Sequence, residues 1–125
     1  MEAMTVQLIF RHLTGSRATQ VDVVPLGAHR ELILGRAASA AVRFAPRHDA
    51  AVGRYHARIE PGDEPGRFRL SDLGSRNGTL LNGKPVTGPV ELRSGDILQL
   101  GADGPRLEFL VETAPASLAG PGFRA

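Results

Sequence analysis

Residues 72–83, DLGSRNGTLLNG, contain two Asn-Gly pairs, and Lys84 follows directly. From Gly78 onward, GTLLNGK matches the phosphate-binding loop G-x-x-x-x-G-K-[ST] at every position except the last. That last position needs a hydroxyl to hold Mg²⁺, and here it is Pro85. The loop must also lead into a helix whose N-terminus faces phosphate, and PVTGPVEL cannot form one. The sequence therefore argues against a nucleotide-binding loop.

The same stretch contains Asn77-Gly78-Thr79, which matches the N-glycosylation sequon. Glycosylation requires secretion, but the N-terminus MEAMTVQLIF lacks a signal-peptide layout and has an acid where positive charge is expected. The absence of cysteine suits a reducing compartment. We therefore interpret the sequon as coincidental and expect a cytoplasmic protein.

An enzyme is the contrasting functional class. Ser75, His56 and Asp72 are the right types for a hydrolytic triad, but the chain has no G-x-S-x-G motif, and Ser75 falls in a turn without an evident oxyanion hole. The four histidines lack the spacing of metal ligands. We expect a non-catalytic protein without a metal or another cofactor.

Arginine supplies fourteen of the fifteen basic residues, because Lys84 is the only lysine. Its planar guanidinium suits phosphate and carboxylate, although GC-rich coding would also raise the arginine count. The basic residues are spread along the chain and aromatic residues are few, which disfavours nucleic acid as a partner. No apolar run reaches the roughly 20 residues of a membrane span, so no membrane partner is expected. The oligomeric state is left open.

The apolar pattern has a short period throughout, which predicts strands rather than helices. Turn signals such as Asn-Gly, Pro-Gly and Ser-Gly separate nearly every pair of strands. The predicted strands are 6–10, 20–24, 31–34, 42–44, 57–60, 68–70, 79–81, 90–92, 96–100 and 107–111. About eleven short strands without a long helical window are typical of an all-β sandwich of two sheets. Residues 37–42 are rich in alanine and are long enough for one helical turn only.

The C-terminal residues 113–125, TAPASLAGPGFRA, have the composition of a linker or disordered tail rich in Ala, Pro and Gly. The predicted domain therefore covers residues 1–112. A domain followed by a linker is expected to be one module of a larger protein.

Four motifs occur in an order that resembles a known family. Gly35-Arg36 ends a strand, and VGRYHA follows at 52–57. DLGSRNGT at 72–79 leads into LNG at 81–83, and LRSGDILQLG at 92–101 closes the series. In this order and spacing, the motifs resemble a forkhead-associated (FHA) domain of the bacterial type over residues 6–112. The resemblance implies an FHA/SMAD-like β-sandwich whose loops at one end bind phosphothreonine peptides, as a signalling or scaffold module.

The resemblance also implies roles for individual residues. The phosphopeptide-binding positions would be Arg36, Gly53, Arg54, Ser75, Arg76 and Asn77. The binding loops would be supported by Gly35, His56, Gly78 and Asn82. Asn77 would grip the peptide backbone, because its amide both donates and accepts hydrogen bonds.

Gly53 departs from the family pattern, which is Ser-x-x-His with a serine hydroxyl on the phosphate. Gly53 retains a backbone N–H, but the hydroxyl is lost, at a cost of about 1–2 kcal/mol in binding. This departure motivates an alternative function, in which an FHA-like module binds a protein partner independently of phosphate. The main expectation remains a partner phosphorylated on threonine.

Overall fold

The computed structural model describes residues 4–27, 30–64 and 66–115, which form eleven β-strands. The strands are β1 Met4–His12, β2 Val21–Pro25, β3 Leu32–Gly35, β4 Val42–Arg43, β5 Ala57–Pro61, β6 Phe68–Asp72, β7 Thr79–Leu81, β8 Lys84–Pro85, β9 Val90–Leu92, β10 Ile97–Leu100 and β11 Arg106–Pro115. The all-β prediction of about eleven strands is confirmed.

Two sheets form the sandwich. One has six strands in the order β2-β1-β11-β10-β7-β8, and the other has five in the order β4-β3-β5-β6-β9. All neighbours are antiparallel except β3 and β4. Because neighbouring strands of an antiparallel sheet alternate in direction, connections that are far apart in sequence emerge at the same end of the sandwich.

The core lies between the sheets and is built from inward-facing residues of alternating strand positions. Phe109 of β11 packs against Phe10 at 5.6 Å and against Phe68 of the opposite sheet at 5.7 Å between ring centroids. All three rings are buried. The contact between Phe109 and Phe68 thus helps to fix the distance between the two sheets that carry the loops.

Two sequence expectations differ in detail from the structure. The pattern does not predict β8, which consists of two exposed residues paired with β7. Asn82 and Gly83 join these strands with φ values of 50° and 83°, as a two-residue hairpin of the primed type requires. At the C-terminus, β11 continues to Pro115, so residues 113–115, assigned to the linker by composition, pair with β1. The rest of that segment, 116–125, lies outside the described residues.

Residues 37–40 form a single turn, in which the Ala40 N–H donates to the carbonyl of Ala37 at 3.0 Å. Within the described ranges, no helix is long and apolar enough to cross a bilayer.

Candidate functional site

Four of the connections at one end of the sandwich surround the predicted site residues. They are the segments 36–41 after β3, 44–56 before β5, 73–78 between β6 and β7, and 101–105 between β10 and β11. The Arg36 N–H donates to the Gly53 carbonyl, and the Ala37 N–H donates to the Arg54 carbonyl, each at 3.0 Å. The Leu73 N–H donates to the His56 carbonyl, also at 3.0 Å. The structure therefore brings together the first three segments, which the sequence motifs had singled out.

The fourth segment was not among the predicted site residues. Gly101 lies against both the second and the third segment. A Cβ built on it would be 3.2 Å from the Asn77 Cβ and 3.3 Å from the Ala51 Cβ. Its φ of 99° also favours glycine. The nearest sequence signal was the glycine that ends the LRSGDILQLG motif.

Gly35 is required by a close approach of two backbones. A Cβ on Gly35 would overlap the carbonyl oxygen of Arg54, and it would lie 2.7 Å from the carbonyl carbon of the same residue. Backbone atoms cannot rotate away as a flexible side chain can. The missing side chain at Gly35 thus allows the Gly53 loop to sit directly against the end of β3.

Arg36 follows Gly35 and is half-buried. Its Nε donates to the Val52 carbonyl, and its Nη1 donates to the Pro46 carbonyl at 3.4 Å. These bonds hold the guanidinium across the 44–56 loop. Within the described residues, Nη2 has no acceptor, so this edge of the group remains free to donate to an anion.

Gly53 does not offer its backbone N–H to a ligand. That N–H donates to Nδ1 of His56 at 2.9 Å. The donor that the sequence analysis retained at this position is thus already used within the protein. The next two backbone N–H groups, of Arg54 and Tyr55, have no acceptor in the part of the chain that the structure describes.

His56 is completely buried and connects two loops. Since Nδ1 accepts from Gly53, Nε2 carries the proton and donates to the Gly78 carbonyl at 2.8 Å. Burial lowers the pKa of His56 below its usual value, although the bond to Gly78 and the charge of Asp72 oppose this change. The ring is therefore a neutral link between the 44–56 and 73–78 loops.

Asp72 organises the 73–78 loop from within. Its carboxylate accepts from the Ser75 N–H at 2.9 Å, from the Ser75 hydroxyl, and from the Thr79 hydroxyl at 2.6 Å. Burial tends to raise the pKa of Asp72, but the bonds from Ser75 and Thr79 outweigh it, and the pKa is lowered. From the sequence, Asp72 was assigned no role beyond a possible catalytic triad. An Asp at the start of a Gly-containing turn was the signal that could have predicted its role in the loop.

Ser75 is committed to this loop through both functions of its hydroxyl. It donates to Asp72 and accepts from the Gly78 N–H at 2.9 Å. Gly78 itself has a φ of 79°, which its lack of a side chain permits. Ser75 makes no bond to His56, so the three residues considered as a triad are arranged as loop supports.

Asn77 lies at the junction of two loops. Its Nδ2 donates to the Ala51 carbonyl at 2.9 Å, while Oδ1 has no hydrogen-bond partner among the described residues. The side chain is exposed, as are the neighbouring Arg76 and the Arg54 side chain across the loops. Asn77 is therefore fixed by one end of its amide and presents the other.

Asn82 is located elsewhere. Its Nδ2 donates to Asp96 at 3.0 Å, and its Oδ1 accepts from the Ile97 N–H at 2.9 Å. Both contacts hold the β7–β8 hairpin against the beginning of β10, at the opposite end of β7 from Gly78. The remaining predicted residues gather at the loop end: Gly35, Arg36, Gly53, Arg54, His56, Ser75, Arg76, Asn77 and Gly78.

No group of three or more His, Cys, Asp or Glu side chains that could hold a metal occurs in the described ranges. The arrangement instead offers donors: the free edge of Arg36, the N–H groups of Arg54 and Tyr55, and two exposed guanidiniums, of Arg54 and Arg76. Such groups can bind a multiply charged oxyanion, since guanidinium and backbone N–H both donate and carry no acceptor.

Comparison with known proteins assigns the family. The family model described as "FHA domain" matches residues 32–101, which is more than half of the chain. The oxoglutarate dehydrogenase inhibitor of Corynebacterium diphtheriae is 34% identical over 111 residues, covering 71% of this chain and 76% of the relative. The glycogen accumulation regulator GarA of Mycolicibacterium smegmatis is 44% identical over 69 residues, covering 55% of this chain and 39% of the relative.

Solved structures of FHA domains have the same fold as this chain. One, from a structural and functional analysis of phosphothreonine-dependent FHA domain interactions, is 27% identical with a TM-score of 0.65, and the alignment covers 83% of this chain and 95% of that one. Another, the FhaA FHA domain complexed with the intracellular domain of Rv3910, is 27% identical with a TM-score of 0.57, covering 88% of this chain and all of that one. By its fold, its loop motifs and these relatives, the chain belongs to the FHA domain family.

Proposed function

We propose that this protein is a non-catalytic module that binds threonine-phosphorylated peptides through the loops containing Arg36, Gly53 and Asn77. The observation that carries the proposal is the free edge of the Arg36 guanidinium, which is held in place by two carbonyls of the neighbouring loop. A fixed cation with unused donors at a junction of loops is suited to a phosphate group, which brings nearly two negative charges and three acceptor oxygens.

The phosphate would also receive backbone donors. The N–H groups of Arg54 and Tyr55 have no acceptor among the described residues and belong to the loop that carries the Arg36 contacts. Because the ring of His56 fixes the preceding Gly53 N–H, these groups are oriented before a ligand arrives. Donors that are already oriented lose less entropy on binding.

The peptide itself would be held by Asn77. Its Oδ1 is available to accept a backbone N–H of the ligand, while its Nδ2 remains bonded to Ala51. Ser75 would contribute indirectly, since its hydroxyl shapes the loop that presents Arg76 and Asn77. Within this proposal Gly35, His56 and Gly78 position the loops and do not contact the ligand.

The biological setting is inferred from the relatives. Two of them are named an inhibitor and a regulator, and one solved relative was determined with the intracellular domain of another protein. These names support a regulatory or scaffold role in the cytoplasm, within a larger protein or assembly. They also favour a protein or peptide partner.

The proposal is tested by calorimetric titration with the peptides selected from a phosphothreonine library and with unphosphorylated copies of the same peptides. Arg36→Ala should weaken binding of the phosphorylated peptide by about 1.5–3 kcal/mol, roughly ten- to 150-fold. Lys84→Ala is the matched control, because Lys84 is an exposed cation in the hairpin at the far end of β7. Equal affinity for phosphorylated and unphosphorylated peptides would instead support the phosphate-independent function that Gly53 suggested.

A further inference from the structure

Several arginines at the loop end have no acidic partner. Arg47, Arg54 and Arg76 are exposed, and none forms an ion pair or side-chain hydrogen bond within the described residues. On the sheet faces and in other loops, most arginines are paired. The arginine–carboxylate pairs there are Arg11–Glu108, Arg17–Asp22, Arg58–Glu31, Arg67–Glu64, Arg67–Glu91, Arg69–Glu60, Arg69–Asp63 and Arg93–Glu91.

Arg47, Arg54 and Arg76 belong to segments that are bonded to each other. Arg47 directly follows Pro46, whose carbonyl accepts from Arg36 at 3.4 Å. Arg54 is joined to the end of β3 through its own carbonyl, which accepts from Ala37 at 3.0 Å. Arg76 directly precedes Asn77, which is bonded to the loop that holds the other two. The three arginines thus lie on loop segments that are hydrogen-bonded to Arg36 or to one another.

The acids nearest to them in sequence do not neutralise this charge. Asp49 is 5% exposed, and its carboxylate accepts from Ser16 and from the Ala45 N–H. Asp72 accepts from Ser75 and Thr79. Both carboxylates are used inside the loops, so they are not available as salt-bridge partners for the exposed guanidiniums.

A single phosphate would leave much of this charge unused. It needs donors for three oxygens, and Arg36 with two backbone N–H groups already supplies that number. At the same time Gly53 gives the phosphate neither a hydroxyl nor an N–H, which weakens the hold on that one group. The chain therefore combines a weakened primary phosphate contact with surplus cations around it.

We propose that this end of the molecule binds a phosphothreonine together with a second anionic group on the same peptide, either another phosphate or neighbouring carboxylates. The inference rests on the function proposed above and specifies the class of peptide. The second anion is bound by the guanidinium groups of Arg47, Arg54 and Arg76. Asp103 is an exposed acid that lines a depression with His48 and Ala51, beside the loop that carries Arg47 and Arg54.

The test uses four versions of one peptide selected by the domain. The first has a single phosphothreonine and uncharged flanks, the second adds another phosphothreonine, the third adds two glutamates instead, and the fourth keeps the glutamates but has no phosphate. At low ionic strength, the second or third should bind about five- to fiftyfold more tightly than the first. The advantage should shrink as salt is added, because exposed charges are screened over about 10 Å at 0.1 M salt.

Variants locate the effect. Arg47→Ala, Arg54→Ala and Arg76→Ala should each reduce the advantage of the second anion by about two- to fivefold, while binding of the singly phosphorylated peptide changes less. Lys84→Ala removes a remote unpaired cation and should leave the ratio unchanged.

The outcomes separate the two proposals. Equal affinity for the first three peptides, with the fourth not binding, would overturn the second-anion inference and leave phosphothreonine binding intact. Failure of all phosphorylated peptides would overturn the proposed function itself. Tight binding of the fourth peptide, or of single-stranded DNA at the same salt, would show a general polyanion surface and would overturn both.

Discussion

Gly53→Ser is the substitution that most directly tests how the loop contacts phosphate. Gly53 has no positive φ, so a side chain is compatible with its backbone. A Cβ built there would lie 3.7 Å from Nδ1 of His56 and 3.9 Å from the nearest carbon atoms of that residue. These are ordinary van der Waals distances, so the substitution needs no rearrangement of the loop.

The expected gain comes from one added hydroxyl donor at the phosphate. A hydrogen bond to a charged group contributes about 1.5–3 kcal/mol, and part of this is offset because the hydroxyl loses its bonds to water and its rotational freedom. A net gain of about 1–2 kcal/mol corresponds to roughly five- to thirtyfold in Kd. Restriction of a flexible glycine in the unbound loop would add a smaller gain.

Gly53→Ala separates the two contributions, because it restricts the backbone without adding a donor. Calorimetric titration of the parent and both variants with phosphorylated and unphosphorylated peptides gives the comparison, and thermal unfolding shows whether each variant is folded. We expect the serine variant to exceed the alanine variant by about tenfold for the phosphorylated peptide only. If the two variants gain equally, the hydroxyl does not reach the phosphate and the reasoning about this position is refuted.

Three further predictions concern the support of the loops. Gly35→Ala should destabilise the protein by about 1–3 kcal/mol, measured by chemical denaturation, because its Cβ would overlap the Arg54 carbonyl; an unchanged midpoint would contradict this. The pKa of His56 is lowered by burial, so its contribution to stability is present above the unfolded value of about 6.5 and is lost as the pH falls through the folded pKa; His56→Gln should show a flatter decline in stability between pH 7.5 and 5.5. Asp72→Asn should cost about 1–2 kcal/mol at pH 7, since an amide oxygen replaces a carboxylate that accepts three bonds. That cost should diminish as the pH falls below the unfolded value of about 3.8 and through the lowered folded pKa of Asp72, because the parent protein then loses the charge of this carboxylate; a constant cost at every pH would show that charge is not involved.

Much of the fold could be predicted from the sequence, because the strands carry local signals. Alternating burial in strands such as β10, with Leu98 and Leu100 inside, produces a period of two that is visible without coordinates. The strand β8 has no such pattern, since its Lys84 and Pro85 are both exposed and are defined only by pairing with β7. Likewise, the last pairs of β11 consist of small residues whose strand character depends on β1 beside them.

The candidate site could be predicted as a set of motifs, but its bonding could not. The Gly53 N–H donates to His56 because of a loop geometry that no residue type specifies. The contributions of Ala51 and Gly101 are of the same kind, because the sequence shows the alanine and the glycine but does not show that Asn77 contacts them. Such features arise where separate loops meet, and local sequence patterns describe only one loop at a time.

The site therefore divides into two layers with different physical demands. The inner layer contains the buried His56 and the half-buried Asp72, whose pKa values are lowered and whose side chains are hydrogen-bonded within the loops, so their substitution should change stability and binding together. Arg54 and Arg76 are outside and contact no acid among the described residues, so their substitution should change binding while the free energy of unfolding stays nearly constant. Arg36 belongs to both layers, because its guanidinium is bonded to the loop on one edge and open on the other. Its loss should thus combine a modest loss of stability with the largest loss of affinity among the arginines, and a binding loss no greater than that of the outer arginines would mean that the phosphate is held elsewhere.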